Sequence, residues 1–209
     1  CRRRPPPTPG VAARAGAAAM SATRRPEIRR PDGVTWLGHA TCVIDLGGVR
    51  LVTDPLLGRH AGVLRRRDAL APEPGHWRGS DAALVSHLHH DHAHLASLRS
   101  VGAIALSAPA NAHWLETHGV PAHHLRPNEW WSPGGAAHVR VRTVPAVLGH
   151  RPMPHRPNAT TGFVVVSEVE GRATRVWFAG DTEAYPEMAH LADLAGGPLD
   201  LALVPIGGW

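Results

Sequence analysis

The chain has 209 residues, 43% of them hydrophobic, enough for one domain with a sizeable core. Its formal charge of +5 sits at one end: residues 1–30 hold eight arginines against one acid, Glu27, while the rest hold 14 arginines against 16 acids. The body therefore lacks the clustered basic surface that following a phosphate backbone needs, which argues against a nucleic-acid partner. No apolar run reaches the roughly 18 residues of a transmembrane helix.

In chain order, residues 1–30 read as a disordered basic tail, with three consecutive prolines and an Ala/Gly-rich stretch ahead of Met20. Residues 31–209 form the folded domain. Val34–Leu37, Thr41–Leu46 and Val49–Thr53 are predicted strands, the last two joined at Gly47-Gly48. Asp54-Pro55 stops the third, and residues 55–80 read as a long loop containing the Arg65–Arg67 run. Ala82–Ser86 is a short apolar strand that runs into a dense His/Asp cluster. A helix over His94–Val101, a strand over Ala103–Leu106 and a helix over Pro109–His118 follow. His138–Val144 alternates as a strand, and Pro145–Thr161 is a loop rich in Pro and His. Gly162–Val169 and Arg175–Ala179 are strands around a turn at Glu170-Gly171. Tyr185–Leu194 reads as a helix closed by Gly196-Gly197, and Leu199–Val204 as a final buried strand. Strand groups separated by helices indicate an α/β fold with helices covering sheets. Of the two cysteines, Cys42 lies in an apolar strand and reads as a buried free thiol, consistent with a reducing, cytoplasmic setting.

The chemistry is concentrated in Ser86-His87-Leu88-His89-His90-Asp91-His92. In extended chain, residues two apart point the same way, so His87 and His89 share a side and can bind one cation. Asp91 and His92 follow where the chain turns into a helix and project towards a second position nearby. His90 points away. Imidazole and carboxylate donors suit zinc, and also iron, manganese or nickel.

His87-x-His89-x-Asp91-His92 resembles the signature of the metallo-β-lactamase superfamily. Three further segments agree in order: Thr35-Trp36-Leu37-Gly38-His39-Ala40-Thr41 with Val52-Thr53-Asp54-Pro55, then Phe178-Ala179-Gly180-Asp181-Thr182, then Leu203-Val204-Pro205-Ile206-Gly207-Gly208. Together they span roughly residues 33–209. They are similar to the branch containing N-acyl-phosphatidylethanolamine phospholipase D and L-ascorbate-6-phosphate lactonase. The resemblance implies an αββα sandwich with two divalent metal ions at one edge. It implies His87 and His89 on the first metal, Asp91 and His92 on the second, and Asp181 bridging. A metal-activated hydroxide is then the nucleophile, with Asp91 steering it or taking its proton.

The sequence departs from that pattern twice. A further ligand histidine is expected about two residues after Ala146, where Leu148 stands; His150 is the nearest replacement and His155 the next. A final ligand histidine is expected beyond the strand at Leu199–Val204, but the sequence stops at Trp209, which reads as C-terminal truncation of the sandwich and reduced activity. His39 and His190 are the earlier histidines that could stand in. The expected function is a metal-dependent hydrolase acting on a phosphodiester or a lactone or ester, with a small-molecule or lipid-like substrate. A metal-binding remnant and a nuclease of the same superfamily are the alternatives. Trp77, Pro152 and Met153 are candidates for an apolar pocket wall, or for simple loop packing.

Overall fold

A computed structural model describes residues 31–61, 64–65, 71–149 and 153–207. Two sheets face one another. The first has the order β1-β2-β3-β6-β7-β8, built from β1 (Gly33–Gly38), β2 (Thr41–Leu46), β3 (Val49–Thr53), β6 (Ala82–Leu84), β7 (Ile104–Ser107) and β8 (Ala122–His124). The second has the order β12-β11-β10-β9, from β9 (Val139–Val144), β10 (Gly162–Val169), β11 (Arg172–Phe178) and β12 (Leu201–Leu203). A separate two-residue hairpin pairs β4 (His60–Ala61) with β5 (Leu64–Arg65).

Alternation along the strands decides which side chains meet. Ile44, Leu51, Leu84, Phe163, Val165 and Phe178 enter the core between the sheets. Their neighbours Val43, Val52, Ala83 and Val85 point to the opposite face of the first sheet, under α2 (Leu95–Val101) and α3 (Pro109–Thr117) through Leu98 and Leu115. Val164, Val166 and Trp177 likewise face α4 (Leu191–Ala195) on the outside of the second sheet. Period-2 side-chain direction thus produces four layers, helix, sheet, sheet, helix. Cys42 is a buried free thiol, as expected. Among the described residues no helix is long and apolar enough to cross a membrane.

Three sequence expectations need correction. The stretch 55–80 is not one loop: it carries the small hairpin and a one-turn helix, α1 (Pro74–Trp77). Trp77 is buried among the residues under α2, in the packing role expected for it ahead of a pocket wall. The helix expected over Tyr185–Leu194 is a 3-10 turn over Pro186–His190 followed by α4, with Met188, Leu191, Leu194 and Ala195 packed against the second sheet. The last strand is not buried. β12 joins β11 in parallel as an edge strand, leaving Leu201 and Val204 largely exposed. The basic tail of residues 1–30 and Pro152 lie outside the described residues.

Candidate metal centre

β6 delivers the His/Asp cluster to the rim of the sandwich. Beyond Leu84, the Val85 N–H still donates to Leu106 of β7, and the chain then crosses the sheet end as a loop. The loop closes on itself where the His92 and Ala93 N–H groups donate to the His89 carbonyl, and α2 begins shortly afterwards. His87 and His92 are almost entirely buried, which is unusual for histidines unless each ring nitrogen has a task.

Asp54, at the end of β3, fixes these rings. It is fully buried and accepts from the Ser86 N–H at 2.8 Å, the Ser86 hydroxyl at 2.5 Å and His92 Nδ1 at 2.7 Å. Two buried threonines hold Asp54 in place. The Thr41 hydroxyl donates to the Asp54 carbonyl and accepts from the Leu56 N–H, while the Thr53 hydroxyl donates to the Ala40 carbonyl. With Nδ1–H given to Asp54, His92 turns Nε2 towards the rim. Serving a histidine through its second nitrogen in this way is how proteins orient metal-ligating imidazoles.

Asp181 reaches the same place from the second sheet. β11 ends at Phe178, and Gly180 turns the chain with φ +62° directly over Ser86. Asp181 Oδ2 then lies 3.3 Å from His92 Nε2, and Asp91 Oδ2 lies 3.7 Å from it. His87 and His89 sit ring against ring, centroids 4.4 Å apart, and the His87 and His92 rings are 4.1 Å apart. The structure therefore brings His87, His89, Asp91, His92 and Asp181 together.

The electrostatics fit a cation site. Burial, with His92 and His89 nearby, drives the His87 imidazole down to about 3, so it is neutral and can donate a lone pair. Its Nδ1 meets the Ser86 hydroxyl, and its buried Nε2 has no hydrogen-bond partner among the described residues. Burial alone would depress His92, but hydrogen bonds to Asp181 and Asp54 carry it up to about 10. Asp181 is lowered, first by its hydrogen bond with His92. Burial works against ionised Asp91, yet the hydrogen bond from His39 and the charge on His92 hold it well below the usual carboxylate range. Two lowered carboxylates drawing a positive charge onto one buried ring is the field that a divalent ion would share.

Asp54, His87 and His92 also lie close enough to suggest a second ligand triad. Asp54 already accepts three hydrogen bonds, one of them from the His92 nitrogen facing it, so it braces the site rather than ligating there.

The remaining sequence candidates fall as follows. His150 lies outside the described residues. His155 is exposed, and its carbonyl accepts from the Trp114 indole on α3. His190 is exposed and pairs with Asp193. His90 turns away, as expected, to Arg156, whose guanidinium also donates to the Leu88 carbonyl and so braces the loop from behind. Sequence reading missed the roles of Asp54 and Arg156. Asp54 was visible as a strand stop and as part of the Val52–Pro55 segment of the resemblance, with no role assigned, and Arg156 carried no signal.

Comparison with known proteins agrees with this site. The Beta-lactamase superfamily domain matches residues 49–209. The chain belongs to the metallo-β-lactamase superfamily. It is 30% identical over 179 residues to a UPF0173 metal-dependent hydrolase of Methanoculleus marisnigri, covering 84% of this chain and 68% of that protein. It is 27% identical over 195 residues to N-acyl-phosphatidylethanolamine-hydrolyzing phospholipase D 1 of Caenorhabditis elegans, covering 84% and 53%. Several matching mycobacterial proteins are covered over only 52% of their length, so the chain spans about half of some of its relatives. Igni18, a metallo hydrolase from Ignicoccus hospitalis, shares the fold with a TM-score of 0.65 at 23% identity, covering 84% of this chain and 71% of that one. This superfamily member is thus grouped with metal-dependent hydrolases.

Proposed function

We propose that this metallo-β-lactamase-fold protein hydrolyses a phosphodiester in a metal-dependent reaction. The observation that carries the reading is the convergence of Asp91 and Asp181 on His92 Nε2, with the His87 ring beside it and the buried His87 Nε2 without a hydrogen-bond partner among the described residues. His87 and His89 would hold one divalent cation, Asp91 and His92 a second, and Asp181 would lie between them. His150 remains the proposed further ligand to the first. Nitrogen and carboxylate donors suit zinc, with manganese, iron and nickel as alternatives. Bound there, such cations supply Lewis acidity towards a phosphoryl or carbonyl oxygen and make a water acidic enough to ionise near neutral pH. Asp91, ionised, orients the attacking water and takes its proton. Asp54 keeps His92 in one tautomer throughout.

The phosphodiester reading is supported by the phospholipase relative and by the neighbouring cleft. That cleft, about 370 Å³, shares Thr161 with the site, since the Thr161 N–H donates to Ser86. Its walls combine apolar Leu125, Val144 and Leu194 with Arg142, whose guanidinium donates to the Leu194 carbonyl and Asn128 Oδ1 and lies over Trp130; such a cleft suits a small, largely apolar or lipid-like molecule. The near-neutral body argues against a nuclease.

Metal-stripped protein reloaded with Zn²⁺ is expected to hydrolyse bis-p-nitrophenyl phosphate, and stripped protein is not. Asp91→Asn, compared at equal metal content, should lose about 10²–10⁴-fold in kcat, the range for a lost proton acceptor. Opening of a γ-lactone without phosphodiester turnover would move the substrate to the lactone class. Cleavage of an oligoribonucleotide alone would make it a nuclease. Metal-dependent turnover of none of the three would leave a metal-binding remnant.

A further inference from the structure

We propose that His39 is a protein ligand of the second cation, completing a set with Asp91 and His92. The inference rests on the metal-centre reading and adds a residue 53 positions ahead of His92. His39 Nε2 lies 2.9 Å from Asp91 Oδ2 and 3.2 Å from His92 Nε2, and the three donor atoms fall within 4.8 Å of one another. His92 meets Asp54 through Nδ1, which leaves its Nε2 facing His39. Two ring nitrogens and a carboxylate oxygen gathered this closely are the donor set and spacing of a cation site.

The backbone is built to aim this ring. β1 and β2 join through an irregular turn with a register shift between Trp36 and Gly38. Gly38 has φ +103° and His39 itself φ +51°, a conformation that residues with a Cβ seldom adopt. Two hydrogen bonds lock it: the Trp36 indole N–H donates to the His39 carbonyl at 2.8 Å, and the Thr53 hydroxyl to the Ala40 carbonyl at 2.6 Å. Trp36 is itself two-thirds exposed, so its indole does more for the turn than for the core. Without that turn, a histidine ending β1 would project from the sheet edge. With it, the ring, only 36% exposed, lies over His92 with centroids 4.8 Å apart.

The test is metal binding, read independently of turnover. Metal-free wild type, His39→Gly, His39→Asn and the exposed control His190→Ala are titrated with Co²⁺, followed by visible absorption and equilibrium dialysis. Gly and Asn both tolerate the positive φ, so the turn survives in at least one variant, checked by circular dichroism. Both His39 variants are expected to lose one Co²⁺ equivalent or to bind it at least about tenfold more weakly, with altered d–d bands. His190→Ala should match wild type. Folded His39 variants with wild-type stoichiometry, affinity and spectrum would overturn the assignment and leave His39 as a hydrogen-bond partner of Asp91. Wild type that takes up no Co²⁺ at all would overturn the metal centre itself.

Discussion

Asp54→Ala is expected to be the most damaging single substitution in the described structure, costing about 3–5 kcal/mol of stability, as removal of one partner from a buried ion pair does. Asp54 is wholly inaccessible and satisfies three groups at once, two on Ser86 and one on His92. Alanine leaves those donors facing one another without an acceptor. A urea midpoint measured on metal-free protein reports the loss, free of any contribution from bound ions. Asp54→Asn separates the two tasks of the residue. The amide keeps the shape and one acceptor oxygen, so most of the fold should survive. Without the carboxylate, His92 loses the partner that sets its tautomer, and metal affinity should fall about 10–100-fold. Wild-type midpoints for Asp54→Ala would mean that Ser86 and His92 find other partners, and that the buried carboxylate is dispensable.

Gly180→Ala carries the second large effect. A Cβ there would lie 2.6 Å from Ser86 Cβ and 2.9 Å from Ser86 Oγ, well inside van der Waals contact. The φ of +62° adds the penalty for a left-handed L-residue, about 1–2 kcal/mol. Overpacking of this kind costs about 1–3 kcal/mol more. Gly171→Ala is the matched control: its φ is +76°, but a Cβ there meets nothing within 4 Å. Thermal unfolding of the two variants isolates the steric part. Ser86 also contacts His87 and Asp54, so Gly180→Ala should weaken metal uptake while Gly171→Ala leaves it unchanged. Equal melting temperatures for the two would show that Ser86 moves aside without cost.

How much of this was legible in the sequence depended on range. β2, β3 and β10 were readable to the residue, because strands covered on both faces read as short apolar runs, and turn residues mark their ends within a few positions. The clustering of His87, His89, Asp91 and His92, the proposed ligands, was readable because one short loop carries them all. β8 was invisible: three half-buried residues, two of them histidines, give no period. The exposure of β12 was misread because apolar composition signals the capacity to pack, whereas place in the strand order decides whether a strand is covered. Asp54 was missed because its burial depends on His92, 38 residues away, and Asp-Pro looks the same in an ordinary strand end. His39 was named as a stand-in, but nothing local to it announces the turn that swings it over His92.

The ligands of the proposed centre do not come from one side of the sandwich. His87 to His92 ride on the first sheet, whereas Asp181 rides on the second, and Gly180 meets Ser86 where the two rims touch. A cation held there would act as a clasp between the two halves. Its binding energy would then appear as resistance of the sheets to parting at that rim, growing with free metal as RT ln(1 + [L]/Kd), about 4 kcal/mol at a thousandfold excess over Kd. In a protein of this construction, metal starvation would weaken the frame along with the chemistry, and the supply of the ion would set how long the chain survives as well as how fast it works.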